Sequence, residues 1–283
     1  WNPGLNRVNI DSILLNSLSG EMAMTHSVTD CSCSEQLTET VRGMQKERPE
    51  SVIYQTSLMS ALLSGVYDGT TTVADLLKKG DFGLGTFNQL DGELIAFNRE
   101  VYQLRSDGSA RAASPDQQSP FAVMTFFHPQ YQHRFTGPVD RAGVHQVIDQ
   151  QVSSDNQFCA LRLDGLFSRA ETRTVPCQHR PYKSMPEVLG KQPTFHFEQR
   201  NGVLIGFRTP QYMQGINVAG YHEHFITDDR QGGGHLLDYQ LDHGTLTFGE
   251  ISKLVIDLPG DSDFLRADLS PENLDSAIRS VES

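Results

Sequence analysis

The chain has no apolar run near the roughly 20 residues that a membrane-spanning helix needs, which excludes such a helix. Cysteine is scarce. Cys31, Cys33, Cys159 and Cys177 are the four in 283 residues, too few and too irregularly spaced for the disulfide framework of a small secreted domain, so free thiols are expected. Cys31-Ser-Cys33 lacks the second pair that a structural zinc site requires. Positive charge is short as well: 23 Lys and Arg against 35 Asp and Glu leave a net charge of -12, without the basic clusters that grip a phosphate backbone. Nucleic acid is thereby excluded as a partner, and a small anionic substrate would have to be held by a local cation, a metal or a buried Arg. A glycine-rich dinucleotide fingerprint and a P-loop are also missing, and nothing demands an organic cofactor.

What is present fits a loop-rich globular protein of one large or two modest domains: 37% hydrophobic and 20% charged residues, with 24 Gly and 13 Pro. Trp1 is not an initiator, whereas Met22 and Met24 can be, so residues 1–21 are expected to lie upstream of the natural protein. Ile13-Leu14-Leu15 is too short for the apolar core of an export signal and Asp11 sits where such a signal is basic, which favours a cytoplasmic location. Residues 25–50, rich in Thr, Ser, Glu and Gln, read as a mobile arm, so 1–50 is set apart as an N-terminal extension.

Order is expected from Val52, where Val52 to Leu58 suits a strand or the approach to a short helix through Leu63. Thr72 predicts an N-cap for a helix Val73 to Lys79, with Asp75 in its first turn, lysines in its last and Gly80 at its stop. Strands follow at Gly85 to Asn88, Glu93 to Asn98, Val101 to Leu104 and Phe121 to Phe127, with Asp91-Gly92 and Asp107-Gly108 as turns. Residues 139–152 carry Val144, Val147 and Ile148 at helical spacing. A second hairpin is expected around Asn201-Gly202, between Thr194–Glu198 and Val203–Arg208. Its Gly-x-Leu-Ile-small-Phe text matches Gly92 to Phe97 at an offset of 110 residues, either by convergence or by duplication. A terminal amphipathic helix is predicted from Ser270 as N-cap and Pro271 as first residue, with Leu274, Ala277, Ile278 and Val281 on its apolar stripe.

The most informative stretch is Gly220-Tyr221-His222-Glu223-His224-Phe225, followed after a turn by Gly232-Gly233-Gly234-His235. On a strand, residues two apart face the same side, so His222 and His224 project together, and a returning strand can bring His235 beside them. A His-x-His pair alone is often a surface pair. Three imidazoles without a fourth protein ligand describe a catalytic zinc-type site, because catalysis needs an open position. The other histidines show no such grouping; His196, in a strand, and His243, in a tight turn, are the nearest to exceptions.

These residues resemble the alpha-acetolactate decarboxylase family, and the likeness runs from about Ser51 to the C-terminus, taking in Gly83 to Asn98 and Arg169-Ala170-Glu171-Thr172-Arg173. The resemblance implies an α/β (α+β) protein of two strand-rich domains with mixed or antiparallel sheets and a few helices. The expected division is 51–155, carrying Glu93, and 156–283, carrying the metal site. It also implies one zinc per chain on His222, His224 and His235, with Glu93, Arg173 and Glu282 as catalytic residues and Thr86 lining the pocket. The implied reaction is conversion of 2-acetolactate to acetoin, with no nucleic acid or membrane partner and a homodimer as an admissible assembly.

That chemistry suits the residue types. Acetolactate loses carbon dioxide from a carbon next to a ketone, so the departing electron pair needs a sink, which a metal supplies by stabilising the enediolate. Arg173 can hold the carboxylate through paired hydrogen bonds. Glu93, or a water it orders, can return a proton to one face, with Glu282 sharing the proton work. On spacing alone, Arg173 also reads as a surface salt bridge, Glu93 as a solvated strand end and Glu282 as a frayed helix end. A zinc hydrolase would use nearly the same residues, and a β-rich binding module would use the histidines for a structural metal.

Overall fold

The computed structural model describes residues 51–189 and 192–282. The expectations for residues 1–50, including Cys31 and Cys33, lie outside the described residues.

The first elements come from punctuated local sequence. Strand β1 (Val52–Thr56) ends at Ser57, whose φ of 63° breaks the extended run, and helix α1 (Met59–Leu63) follows, so both expected states of this stretch occur in succession. After β2 (Thr71–Thr72), helix α2 (Val73–Lys79) begins where predicted. The Thr72 hydroxyl accepts from the Asp75 amide at 3.1 Å, and Asp75 returns the interaction to the Thr72 backbone. Strands β3 (Phe82–Thr86), β4 (Glu93–Phe97), β5 (Glu100–Leu104) and β6 (Ala110–Ala112) then form a meander. Its turns use residues with positive φ: Gly92 at 84°, Asn98 and Arg99 at 53° and 65°, and Gly108 at 84°. With β7 (Gln118–Ser119) paired to β2 and β8 (Phe121–Thr125) between β1 and β3, the main sheet runs β15-β1-β8-β3-β4-β5-β6, where β15 is Lys253–Asp257. Only the β1–β15 pair is parallel, so the sheet is mixed.

A second sheet follows, built on long strands: β9 (Tyr131–Phe135), β10 (Val139–Asp140), β11 (Phe158–Arg173), β12 (Thr194–Thr209), β13 (Gly220–Thr227) and β14 (Gly233–Ile251). The pairings β11–β12, β12–β13, β13–β14 and β14–β11 close on themselves, which locks the start of β14 between β13 and β11. Helix α3 (Arg141–Asp149), capped by the Asp140 carboxylate on the Gly143 amide, buries Val144 and Ile148 against this ring. Three short helices complete the fold: α4 (Met185–Leu189), α5 (Ser262–Arg266) and α6 (Leu274–Glu282). Helix α6 starts three residues beyond the predicted Pro271, whose carbonyl instead closes a turn by accepting from the Leu274 amide. No described helix is long and apolar enough to cross a membrane.

The expected hairpin at Asn201-Gly202 is absent; β12 runs straight through it, paired to β11 at Leu166↔Asn201 and Gly165↔Gly202. Gly202 serves close approach: a Cβ there would stand 2.4 Å from the Phe225 ring. Gly92 turns the chain and Gly202 continues a strand, so the shared text at offset 110 covers two different backbone conformations.

Where the chain was expected to divide, near residue 155, it passes from α3 into β11, yet β9 and β10 precede that point and pair in the second sheet, while β15 returns to the first. The sheets share a core: Phe82, Leu84 and Ile95 of the first meet Val203, Ile205 and Phe207 of the second, with Phe82 and Phe207 edge to face at 5.9 Å. Full burial of each such side chain contributes about 1.5–3 kcal/mol. The two sheets meet along this core, and β13 and β4 approach each other there.

Candidate metal centre

The closed ring of strands puts the three histidines together through register alone. His222 and His224 alternate on β13, and His235 on β14 is the direct cross-strand partner of His224. Opposed residues on paired strands project to the same face, so the three imidazoles converge. Their ligating nitrogens lie within 4.8 Å of one another, with ring centres 5.1 to 5.6 Å apart. All three residues are buried.

The ring of His224 is oriented from the other sheet. The His224 Nδ1 lies 2.8 Å from the Leu94 carbonyl on β4, which can only accept, so Nδ1 carries the proton and Nε2 presents a lone pair. That Nε2 is buried and has no hydrogen-bond partner among the described residues. A buried imidazole nitrogen left open costs free energy that a metal ion would offset. Burial pushes the pKa of His224 down to about 4, overcoming the opposing Leu94 hydrogen bond. Burial, with His224, Arg173 and Arg141 nearby, holds His222 well below its ordinary value. Both are neutral at physiological pH, as ligation demands. The donor set of three buried imidazoles fits a zinc-type ion.

The same register places the flanking groups. Arg173, at the end of β11, is the cross-strand partner of His235 and is 8% exposed. From the first sheet, Glu93 and Thr86 are cross-strand partners on β4 and β3 and face the cavity as a pair. The Thr86 hydroxyl donates to the Gly92 carbonyl at 2.8 Å, which fixes its rotamer at the turn that leads into Glu93. A Glu93 carboxylate oxygen lies 3.8 Å from His224 Nε2. Burial raises the Glu93 pKa to about 7, against the pull of Arg173. A carboxyl poised there can exchange a proton near neutral pH.

Thr86, Glu93, Arg173, His222 and His235 line one cavity, and His224, fully buried, stands beside His222 and His235. The opposite wall is apolar, with Met59 and Leu62 of α1 and Met185 and Leu189 of α4 among its residues. Sequence reasoning missed this wall and the Leu94 carbonyl; apolar side chains and a backbone oxygen carry no motif. Glu282 closes α6, whose Leu274, Ala277 and Ile278 pack into the core shared with α1 and α4; the Glu282 side chain lies outside the described residues. His196 and His243 are exposed on the second sheet and do not join the cluster. Cys159 and Cys177 are free thiols, as expected.

The family model for alpha-acetolactate decarboxylase matches residues 53–271. The chain belongs to the alpha-acetolactate decarboxylase family. A relative of that name from Klebsiella aerogenes is 70% identical over 92% of this chain and 100% of its own length. Another, from Bacillus subtilis strain 168, is 44% identical over 84% and 93%. The crystal structure of the alpha-acetolactate decarboxylase from Bacillus subtilis strain 168 superposes with a TM-score of 0.80 at 43% identity, covering 82% of this chain and 99% of that one. Within this family the strand-rich α+β architecture described above is thus the shared one.

Proposed function

We infer that the chain is a carbon–carbon lyase that decarboxylates 2-acetolactate to acetoin, with a single zinc ion on His222, His224 and His235. Family membership supports the reaction. The observation that supports this division of labour is the convergence of three buried imidazoles with a buried guanidinium and a carboxyl of raised pKa around one cavity.

When bound, the ion supplies a Lewis acid that draws electron density from the substrate's ketone. The chain's own residues do the rest. Arg173 pairs with the substrate carboxylate and orients the bond to be broken, which offsets the repulsion expected from a protein of net charge -12. The bond between the carboxyl carbon and the hydroxyl-bearing carbon breaks, and its electron pair passes toward the ketone. Glu93 then delivers a proton to the carbon that carried the carboxylate; acetoin and carbon dioxide leave, and no water is consumed. The buried cavity keeps bulk water from competing for that proton. Glu282, at the end of the terminal helix, is proposed to share the proton work.

Purified zinc-replete protein is expected to form acetoin and carbon dioxide in equal amounts from acetolactate; no acetoin under those conditions rules the reading out. Arg173→Met is expected to lower kcat/KM about 10–100-fold, the value of one charged hydrogen-bond contact to the carboxylate. It should also weaken inhibition by a non-reactive carboxylate analogue of the substrate by a similar factor. Unchanged inhibition would remove Arg173 from carboxylate binding.

A further inference from the structure

The strand that carries His222 and His224 has an ionisable residue between them. By alternation Glu223 turns to the opposite face, into the ring of the second sheet, and it has no solvent exposure. A carboxylate so placed persists only where donors take up its oxygens. Both donors come from one face of α3, four residues apart: Arg141 Nε reaches one oxygen at 2.8 Å, and His145 Nε2 lies 3.0 Å from the other. The ionisable groups packed around Glu223 on this side are these two and the buried Tyr239. Burial would raise the Glu223 pKa, but His145 and Arg141 outweigh it and hold the carboxyl below its ordinary value.

The two donors also grip the backbone beside the ligands. Arg141 Nη1 donates to the Leu237 carbonyl at 3.1 Å, two residues beyond His235 on β14. The His145 ring stacks on Tyr221 at 3.6 Å and 4°, one residue before His222 on β13. The Tyr221 hydroxyl in turn donates to Asp149 at the end of α3. A single helix thus holds Tyr221 and Glu223, the chain neighbours of His222 and His224, and the Leu237 carbonyl two residues beyond His235.

We propose that Arg141, His145 and Glu223 are positioning residues, a buried polar clamp that fixes β13 against β14 and so sets the affinity and coordination geometry of the metal centre. The inference rests on the reading of the histidines as a metal site. The β13–β14 register already pairs His224 with His235; an apolar trio would fill the same space, but it would lack the directional bonds by which the clamp holds both strands to that register.

The test uses the full chain with Glu223→Gln and Arg141→Met, singly and together, each checked for its far-ultraviolet circular dichroism. Zinc affinity is read by competition with a chelator, and coordination geometry by the visible absorption of the cobalt-loaded protein. Each single variant is expected to bind zinc at least about tenfold more weakly and to alter the cobalt spectrum. The double variant should lose less than the product of the two, because both break one pair, and Arg141→Lys should recover part of the loss. Folded variants with unchanged zinc affinity and cobalt spectrum overturn the proposal, even if they melt earlier. Should Glu223→Gln not fold, His145→Gln, at the more accessible partner, carries the same measurements. A wild-type chain that binds neither zinc nor cobalt refutes the metal-site reading instead, so the two failures are distinct.

Discussion

His222→Ala is expected to leave a folded protein that retains no stoichiometric zinc and turns over acetolactate at least roughly a thousandfold more slowly. The rate follows from the Lewis acid's contribution of several kcal/mol, at about 1.4 kcal/mol for each factor of ten. The retained fold follows from where the site sits. His222 and His224 are held in β13 by eight register pairs to β12, and β12 is buried on both faces from Gly202 onward, so the sheets stay joined without the ion. Unfolding of His222→Ala at room temperature would mark the metal as structural and favour a binding module. Metal analysis, circular dichroism and acetoin formation on one preparation decide between them.

How much of this centre could be read from residue order depends on what kind of contact each part makes. The convergence of the three histidines was legible because strand alternation and a return turn are local rules, and His-x-His with Gly-Gly-Gly-His states both. Helix α2 was legible for the same reason, since its cap and stop sit at its ends. Asn201-Gly202 misled because a turn glycine and a close-packing glycine are written alike; the Phe225 ring that excludes a Cβ at Gly202 comes from β13, more than twenty residues on. Likewise the clamp pairs Arg141 and His145 with a glutamate about eighty residues away, and the carbonyl that orients His224 comes from Leu94 on the other sheet. Glu93 and Arg173 entered through resemblance. Their own neighbourhoods read as a strand end and a salt bridge, and only the cross-strand pairs Thr86↔Glu93 and Arg173↔His235 show why they face the cavity beside the histidines.

Glu93→Gln is expected to lower turnover about 10²–10⁴-fold, the usual worth of a positioned general acid, while making the metal-free protein more stable at pH 8. The sign follows from burial. In the folded chain the carboxyl has its pKa raised from 4.5 to about 7, so between these values the folded state keeps a proton that the unfolded state has released. Stability from this group is full below pH 4.5, falls as pH rises through 7, and stays lost above it. The ionised folded state at pH 8 therefore carries a penalty of roughly 3 kcal/mol, which Gln cannot incur. For a fold of this size that corresponds to a rise in melting temperature of about 6–12 °C. His224 tilts the other way: its pKa, lowered from 6.5 to about 4, makes the metal-free chain lose stability as pH falls across that range. In the wild type these two slopes oppose each other between pH 4.5 and 6.5; in Glu93→Gln the opposing carboxyl slope is gone, so its melting temperature should climb more steeply with pH across that range than that of the wild type. Melting curves of metal-free protein from pH 4 to 9 test this, and a variant no more stable than wild type at pH 8, or one that keeps turnover within tenfold, removes Glu93 as the buried proton donor. The carboxyl that weakens the metal-free fold at pH 8 is thus the group proposed to hold the proton for the reaction.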